Sequence, residues 1–263
     1  MSEIIVQKFG GTSVGSDERI NAVANIIKKA TKENKVIVVV SAMSGETNRL
    51  IKLAKSFSDN PNRREFDALI STGEKVSASL LAMALEANGV KAKSFSASQI
   101  SMKTTNHHSK ARIVDVDGKK ILSTLNEGIV PIITGFQGIN NKSRVTTIGR
   151  GGSDASAIMI AKFFNAEKCI IYTDVEGVYT TDPNKLKKAK KIKVISYEEM
   201  LEMASLGAKV MQPVSIQDAR LNRIDIGVRS SFVKKSGTFI TKRSNIINNK
   251  IITGVSFTQN DSK

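Results

Sequence analysis

The chain has 263 residues, 40% of them hydrophobic, which is enough to bury the core of one large domain or of a domain with a smaller lobe. It carries 40 Lys and Arg residues against 24 Asp and Glu residues, a formal net charge of +16 that suits anionic partners such as nucleic acid, a membrane surface or a small anionic substrate. No uninterrupted run of about 18 apolar residues occurs, so no membrane span is expected.

The N-terminal residues and the cysteine content indicate the compartment. The stretch "MSEIIVQKFGG" lacks the basic region, the long apolar region and the cleavage site of a secretory signal. Cys169 is the single cysteine, so no intrachain disulfide can form, and a cytoplasmic location is the simplest interpretation. Because Cys169 lies in the apolar pattern "KCIIYT", we expect it to be a small buried hydrophobic residue rather than a nucleophile.

The densest positive charge is the run "KLKKAKKIK", residues 185–193, with six lysines in nine residues. No aromatic residue lies between these lysines and the chain has no Trp, so the stacking surfaces of single-strand binders are missing there. No zinc-finger, basic-zipper or RNP-type motif occurs elsewhere. We therefore expect a solvated loop at this run and no nucleic-acid partner for the protein.

In the first third of the chain, apolar runs alternate with a pattern of helical period. "IIVQKF" and "VIVVVSAM" predict buried strands. Between them, a helical pattern places five apolar residues on one face: Ile20, Val23, Ala24, Ile27 and Ala30. The segment "EFDALISTGEKVSASLLAMALEANG" predicts one or two helices that end at Gly89.

The same alternation continues through the rest of the chain. "VKAKSF", "IVPIITGF", "KCIIYTDV" and "IDIGVRSSF" predict strands, the second with its proline near the start. "DASAIMIAKFFNA" is apolar nearly all round and predicts a buried helix. "SYEEMLEMASLG" predicts a helix with a capping box formed by Ser196 and Glu199 and an end at Gly207.

Strands buried on both faces with helices between them predict an α/β fold, a three-layer αβα sandwich around a mostly parallel sheet. No internal repeat and no low-complexity linker is visible. In such sheets ligands bind at the carboxyl ends of the strands. The segments that follow the predicted strands are therefore the candidates for functional residues.

The first such segment is "KFGGTSVG". Gly10 and Gly11 let backbone N–H groups approach an anion closely, and a helix is predicted to begin near Asp17. Lys8 ends the strand next to these glycines; taken alone, it is as compatible with a solvated strand tip. The segment is not a Walker A loop, because G-x-x-x-x-G-K-[ST] occurs nowhere in the chain.

Two further segments carry small or glycine-flanked polar residues. "SAMSGETN", residues 41–48, offers hydroxyl groups to a polar ligand, although an ordinary turn and helix cap explain it equally well. In "TTIGRGGSDASAIMIA", three glycines surround Arg150, and Ser153 and Asp154 begin the buried helix. A guanidinium on such a loop suits a carboxylate that it can bind with two hydrogen bonds.

The fourth segment is "YTDVEGVYTTDPNK", residues 172–185. Asp174 could accept hydrogen bonds from a nucleotide and Tyr179 could pack on its ring, while a turn at Gly177 is the structural alternative. Farther on, Lys209 lies two residues past Gly207. Together the segments supply cations, flexible backbone and a carboxylate, as phosphoryl transfer requires.

With these segments in this order, the chain resembles the aspartate kinases of the amino-acid-kinase family. The motifs that carry the resemblance are "KFGGTSVG", "GFQG" with "TTIGRGGSDASA", "YTDVEGVYTTDP" and "EMASLGAKV", and the similarity runs to about Ile240. It implies the amino-acid-kinase fold and the ATP-dependent conversion of L-aspartate into 4-phospho-L-aspartate, the entry to lysine, threonine and methionine synthesis. Mg²⁺ would arrive with ATP.

The resemblance also implies roles for individual residues. The catalytic residues would be Lys8 and Lys209, which neutralise the transferring phosphoryl group, and Asp154, which holds both lysines. The nucleotide would be bound by Lys8, Gly10, Gly11, Thr12, Thr173, Asp174, Tyr179, Lys185 and Lys209. L-Aspartate would be bound by Ser41, Thr47, Glu74, Arg150, Gly152 and Ser153, with Arg150 on a carboxylate and Glu74 near the ammonium. No protein residue is expected to ligate a metal.

Three positions depart from the family pattern. Asn184 replaces an arginine expected near the nucleotide, and Lys185 is the candidate substitute. Gln212 and Val214 replace a histidine and an arginine. These changes bear on nucleotide affinity and local packing more than on the class of reaction.

The predicted domain organisation is a catalytic domain over residues 1–243, with an amino-acid-binding lobe and, from about residue 145, a nucleotide-binding lobe. Residues 244–263 resemble the first strand of an ACT domain, so we expect a catalytic fragment or a shortened kinase without an allosteric amino-acid site. A homodimer is one option, and the sequence leaves the oligomeric state open.

Two alternatives remain at this stage. The chain could be another kinase of the same fold, acting on glutamate, acetylglutamate, carbamate or UMP, or a relative that binds ligands without catalysis. Lys8, Arg150, Asp154 and Lys209 argue against the second alternative, because a protein without catalysis does not need them.

Overall fold

A computed structural model describes residues 3–208, 210–243 and 253–255 of the chain. Its strands are β1 (Ile4–Phe9), β2 (Lys35–Val40), β3 (Ala92–Phe95), β4 (Lys103–Thr104), β5 (Ile113–Asp115), β6 (Val130–Thr134), β7 (Gln137–Ile139), β8 (Val145–Thr147), β9 (Lys168–Thr173), β10 (Val194–Ser196), β11 (Ile226–Ser230) and β12 (Thr238–Thr241). Its helices are α1 (Asp17–Ala30), α2 (Glu46–Lys55), α3 (Arg63–Ile70), α4 (Thr72–Ala87), α5 (Lys119–Asn126), α6 (Gly152–Phe163), α7 (Tyr197–Ser205) and α8 (Pro213–Asn222).

The main sheet has eight strands in the order β10-β12-β11-β9-β1-β2-β6-β3. Neighbouring strands are parallel except β11 and β12, which are antiparallel. β1 lies near the middle, paired with β2 on one side and β9 on the other. The segments that follow these three strands therefore meet at the same edge of the sheet, as the α/β prediction required.

Helices cover both faces of this sheet, which confirms the predicted three-layer αβα sandwich. Side chains alternate along β1: Val6 packs into a core cluster with α6, and Ile5 and Phe9 pack into a second cluster with α1 and α4. Cys169 on β9 is fully buried, as predicted, and burial raises the pKa of its thiol. The sheet is thus apolar on both faces, which explains the nearly continuous hydrophobic runs in the sequence.

The predicted helix ends are confirmed at three places. Gly89 and Gly207 follow α4 and α7 with positive φ angles of 76° and 116°, a conformation that glycine adopts without strain. The capping box at the start of α7 is present, with both reciprocal hydrogen bonds between Ser196 and Glu199. The apolar helix α6 is buried along most of its length.

The helices α3 and α4 follow each other directly. Residues Arg63–Ala87 are long and apolar enough, by length and composition alone, to cross a membrane. In the fold, Ala78, Leu81 and Leu85 of α4 are buried against α1 and the sheet. This is the arrangement of a core helix in a globular domain.

A second sheet, in the order β5-β4-β7-β8, was not predicted. Its strands have only two or three residues each, too few for an alternating pattern to be recognised in the sequence. β8 packs against α3 and leads directly into the loop before α6. The small sheet therefore supports the glycine-rich segment around Arg150. The predicted lobes and the segment over residues 244–263 remain predictions, and of that segment only residues 253–255 are described.

Candidate active site

An ion pair between Lys8 and Asp154 lies at the carboxyl edge of the main sheet. Lys8 is the penultimate residue of β1 and faces the helix layer that contains α6, and Asp154 lies in the first turn of α6. The Nζ–Oδ1 distance is 2.7 Å, and both side chains are buried. Apart from this ion pair, the Asp154 carboxylate has no hydrogen-bond or ion-pair partner among the described residues. The carboxylate therefore fixes one cation and keeps acceptor capacity for another donor.

The glycine-rich loop after β1 packs tightly against its neighbours. A Cβ atom on Gly11 would lie 2.8 Å from the carbonyl oxygen of Ala42, closer than packed side chains allow. Gly11 is thus required by packing, a reason that the anion interpretation of the sequence did not include. The N–H of Gly10 donates to the carbonyl of Tyr172 at 3.1 Å. The N–H groups of Gly11 and Thr12 have no acceptor among the residues that the structure describes, so these two are available to an anion.

A cavity of about 570 Å³ opens beside the ion pair. It is lined by all six residues predicted to bind the amino acid. It is also lined by three of the residues predicted to be catalytic or to bind the nucleotide. These residues are Ser41, Thr47, Glu74, Arg150, Gly152 and Ser153, together with Lys8, Gly11 and Asp154. The convergence arises because the segments carrying them follow β1, β2 and β8 or begin α2, α4 and α6 around one edge of the sheet.

Glu74 places a buried carboxylate in this cavity. It lies in the first turn of α4, and its Oε1 accepts a hydrogen bond of 3.0 Å from the N–H of Ala42. Its Oε2 is buried without a hydrogen-bond partner among the described residues. Burial raises the pKa of this carboxyl to about 7, more than its hydrogen bonds lower it. A cation bound next to Oε2 would restore the ionised form.

Arg150 supplies a guanidinium with no protein counter-ion in the described part of the chain. It lies between Gly149 and Gly151, whose φ angles of 87° and 76° are in the left-handed region. A Cβ on Gly152 would come within 2.9 Å of Ile148 and 3.0 Å of the ring of Phe136. The glycines are therefore imposed by backbone conformation and packing, and they leave the exposed Arg150 side chain free for an anion.

Some of the residues predicted to bind the nucleotide lie beside the glycine loop, and others make no contact with the Lys8 ion pair. Thr173 ends β9 beside the glycine loop, and its hydroxyl donates to Asp174 at 3.0 Å. Tyr179 is half-buried and donates to Glu176 at 3.2 Å. Lys185 is exposed, as are most lysines of the run that was predicted to be solvated, whereas Lys191 is half-buried and donates to the carbonyl of Ser236. No contact in the described residues joins Tyr179 or Lys185 to the Lys8 ion pair.

Lys209, the second predicted catalytic lysine, lies outside the described residues. Its proposed approach to Asp154 therefore stays a prediction.

Several residues that line the cavity were not singled out in the sequence, among them Phe136 and Ser109. Phe136, within the quoted "GFQG", has a φ angle of 67°, an uncommon conformation for a residue with a bulky side chain. Ser109 lines the same cavity. No motif surrounds Ser109, and positive φ at Phe136 cannot be recognised from composition.

Comparisons with known proteins agree with this arrangement. A model of the amino acid kinase family matches residues 3–230. An aspartokinase of Geobacillus stearothermophilus is 49% identical over 255 residues, which cover 97% of this chain and 63% of that protein. An aspartate kinase structure from Synechocystis has a TM-score of 0.81 and 45% identity, covering 90% of this chain and 40% of that one.

E. coli aspartokinase III, solved in complex with aspartate and ADP, has a TM-score of 0.83 and 31% identity; the match covers 91% of this chain and 65% of that one. The chain thus spans less than two thirds of the length of these relatives.

Proposed function

Because the chain belongs to the amino acid kinase family, we propose that it transfers the γ-phosphoryl group of ATP to the side-chain carboxylate of L-aspartate. The observation that carries the proposal is the position of the Lys8–Asp154 ion pair on the same cavity as Glu74 and Arg150. That cavity offers one cation fixed by an acid, one free cation and one buried acid, which match the charges of an amino acid and a phosphoryl group. The relative solved with aspartate and ADP supports the same pair of ligands.

The amino-acid end of the site recognises a zwitterion. Arg150 binds a carboxylate of L-aspartate, because its guanidinium has no counter-ion among the described residues and can donate two parallel hydrogen bonds. Glu74 binds the ammonium group, which compensates the buried Oε2 that has no partner among the described residues. The hydroxyls of Ser41, Thr47 and Ser153 line the same cavity and complete the polar surface.

The phosphoryl end of the site acts by charge and position. The ionised side-chain carboxylate attacks the γ-phosphorus, a new C–O–P bond forms, and the bond to the β-phosphate oxygen breaks to release ADP. The nucleophile is already an anion, so no general base is needed. Lys8 neutralises charge on the transferring group, and the free N–H groups of Gly11 and Thr12 bind phosphate oxygens. Lys209 would supply a second ammonium on Asp154.

The nucleotide is proposed to extend from the glycine loop, including Gly10, toward Thr173, Asp174 and Tyr179, with Lys185 in place of the arginine absent at Asn184. Among the described residues, no group of three or more His, Cys, Asp or Glu side chains is placed to hold a metal ion. Mg²⁺ would arrive on ATP, held mainly by phosphate oxygens, where it would neutralise triphosphate charge. By the same resemblance, the product enters lysine, threonine and methionine synthesis in the cytoplasm.

An assay with hydroxylamine tests the reaction itself. An acyl phosphate reacts with hydroxylamine, so the 263-residue chain with Mg²⁺, ATP and L-aspartate should yield aspartyl hydroxamate in step with ADP release. L-Glutamate, N-acetyl-L-glutamate, carbamate and UMP serve as competing acceptors, and an Asp154→Ala variant controls for contaminating kinases. Turnover of another acceptor but not of aspartate would move the protein to a different kinase of this family. Binding of ADP and aspartate without any turnover would make it a relative without catalysis.

A further inference from the structure

A buried carboxylate on α3, that of Asp67, joins the segment 107–109 to Thr147, the last residue of β8. The side chain of Asp67 is fully buried, and it has no Lys or Arg partner among the described residues. Its Oδ2 accepts from the N–H groups of Ser109 at 2.9 Å and Thr147 at 3.1 Å. Its Oδ1 accepts from the hydroxyls of the same two residues, at 3.0 Å and 2.7 Å. Nδ1 of His108 lies 2.8 Å from Oδ2 and donates in the tautomer that carries hydrogen there.

These hydrogen bonds determine the position of one wall of the cavity. Ser109 and Thr147 both line it. The two segments are also joined directly, because the N–H of Ala111 donates to the carbonyl of Thr147 at 3.0 Å. A Cβ on Gly149 would lie 3.3 Å from the carbonyl oxygen of Ser109, so the loop before Arg150 rests against the segment that Asp67 holds.

Ionised Asp67 suits this role better than a neutral side chain would. Two backbone N–H groups, two hydroxyls and one imidazole converge on its two oxygens. An asparagine has one acceptor oxygen, and its amide hydrogens would face either the two backbone N–H groups and the imidazole or the two hydroxyls. At least one buried donor would then lose its acceptor, at a substantial energetic cost.

We propose that Asp67 is a positioning residue for the amino-acid substrate: it holds the segment 107–109 and Thr147 so that the loop 149–151 presents Arg150 to the cavity. The proposal rests on the proposed function for the identity of the ligand. Arg150 forms no ion pair within the described chain, so the direction of its side chain depends on the backbone of this loop. Asp67 itself lies behind the wall and does not line the cavity.

The substitution Asp67→Asn tests this role by separating the two substrates. We expect the KM for L-aspartate to rise at least tenfold, kcat to change less than threefold, and the Kd for ADP to stay within twofold of the wild-type value. Asp59→Asn, at an exposed carboxylate, is the matched control and should change none of these values. An unchanged KM for aspartate would overturn the proposal, and so would equal losses of aspartate and ADP binding, since these indicate general destabilisation.

Two substitutions at Thr147 keep the test decisive if Asp67→Asn does not fold. Thr147→Val removes the hydroxyl that donates to Asp67 at nearly constant volume, and Thr147→Ser retains it. The valine variant should raise the KM for aspartate severalfold, and the serine variant should restore it to within twofold of wild type. Equal KM values for the two variants would contradict the proposal.

A measurement without substrate distinguishes this inference from the proposed function. Amide hydrogen exchange in residues 105–112 and 145–151 should accelerate in Asp67→Asn, and in Thr147→Val to a smaller degree, with exchange in β9 unchanged. This result is expected even if the wild-type chain does not phosphorylate aspartate. Unchanged exchange in both segments would overturn the positioning role, whatever reaction the protein catalyses.

Discussion

Nζ of Lys8 lies 2.7 Å from Oδ1 of Asp154, although Lys8 is the penultimate residue of the first strand and Asp154 lies in the first turn of a helix more than half-way along the chain. Both side chains are buried at the border of the cavity. Because the acid fixes the lysine in advance, the ammonium group can meet a phosphate without losing further side-chain freedom. The pairing thus creates a positioned positive charge before any substrate binds.

Replacement of Lys8 by methionine should lower turnover much more than nucleotide binding. Methionine keeps most of the length of the side chain but lacks the charge, which is needed most when charge moves onto the leaving oxygen. We expect kcat to fall by about 100-fold or more, while the Kd for ADP rises less than fivefold. Lys29→Met, at an exposed position on α1, is the control. Steady-state kinetics and calorimetry with ADP measure the two effects, and an unchanged kcat would remove Lys8 from the mechanism.

Aspartate binding should depend on the ionisation of Glu74. Its carboxyl has a pKa raised to about 7 by burial, and only the ionised form attracts an ammonium group. The affinity for L-aspartate should therefore weaken as the pH falls below 7, approaching tenfold per pH unit. Calorimetry without ATP avoids the titration of the phosphates. Glu74→Gln should bind weakly at every pH, and an inflection that persists in this variant would assign the titration to another group.

The same carboxyl should make the ligand-free protein less stable as the pH rises. Glu74 has a pKa of 4.5 in the unfolded chain and about 7 in the folded one, so the folded state retains the proton between these values. Stability is fully present below pH 4.5 and declines as the pH rises through 7, by an upper limit of about 3 kcal/mol. Glu74→Gln should thus exceed the wild type in unfolding free energy at pH 8 but not at pH 4. Urea unfolding at both values measures the difference, and an equal difference at the two pH values contradicts this assignment.

Six of the eight strands of the main sheet were predicted from apolar runs, whereas β10 and β12, at one end of the sheet, were not predicted. β1, β2 and β9 have nearly continuous apolar sequences, and α1 has one apolar face, so the sequence indicates these elements without tertiary information. The second sheet was not predictable, because its strands are short and its central pair, β4 with β7, joins Lys103 to the distant Ile139. Its formation depends on contacts that no local pattern specifies.

The residues that face the cavity were predicted from the sequence, whereas the residue that holds part of the cavity wall in place was not. Lys8, Arg150 and Asp154 stand in segments whose glycines and charges are unusual, and Glu74 was named through the resemblance to aspartate kinases. The fold brings all four residues to one cavity. Asp67 lies in an ordinary helical pattern, and its partners are distant in sequence. A residue that faces a ligand is therefore easier to predict from sequence than a residue that holds the ligand-facing residue in place.

Removal of the guanidinium at Arg150 should weaken the binding of L-aspartate and leave nucleotide binding nearly unchanged. Arg150→Ala is expected to raise the KM for L-aspartate by at least about 30-fold, because a charge-assisted bidentate pair is lost. Arg150→Lys should recover part of this loss, since it restores the charge without the planar fork. The Kd for ADP should remain within twofold. Kinetics at saturating ATP measure the effect, and a change confined to the KM for ATP would show that Arg150 belongs to the nucleotide side.

The two glycines after β1 should differ in their tolerance of a side chain. A Cβ on Gly11 would lie 2.8 Å from the carbonyl oxygen of Ala42, whereas the nearest atoms to a Cβ on Gly10 lie 3.5 Å and 3.6 Å away, at ordinary contact distance. Gly11→Ala must therefore push the loops after β1 and β2 apart, and should lower the Tm by several degrees and weaken ADP binding. Gly10→Ala is the matched control and should leave the Tm within about 2 °C of wild type, since surface-like changes without steric conflict cost little. Equal Tm values for the two variants would mean that the loop relaxes freely, and would leave anion binding as the main reason for glycine at position 11.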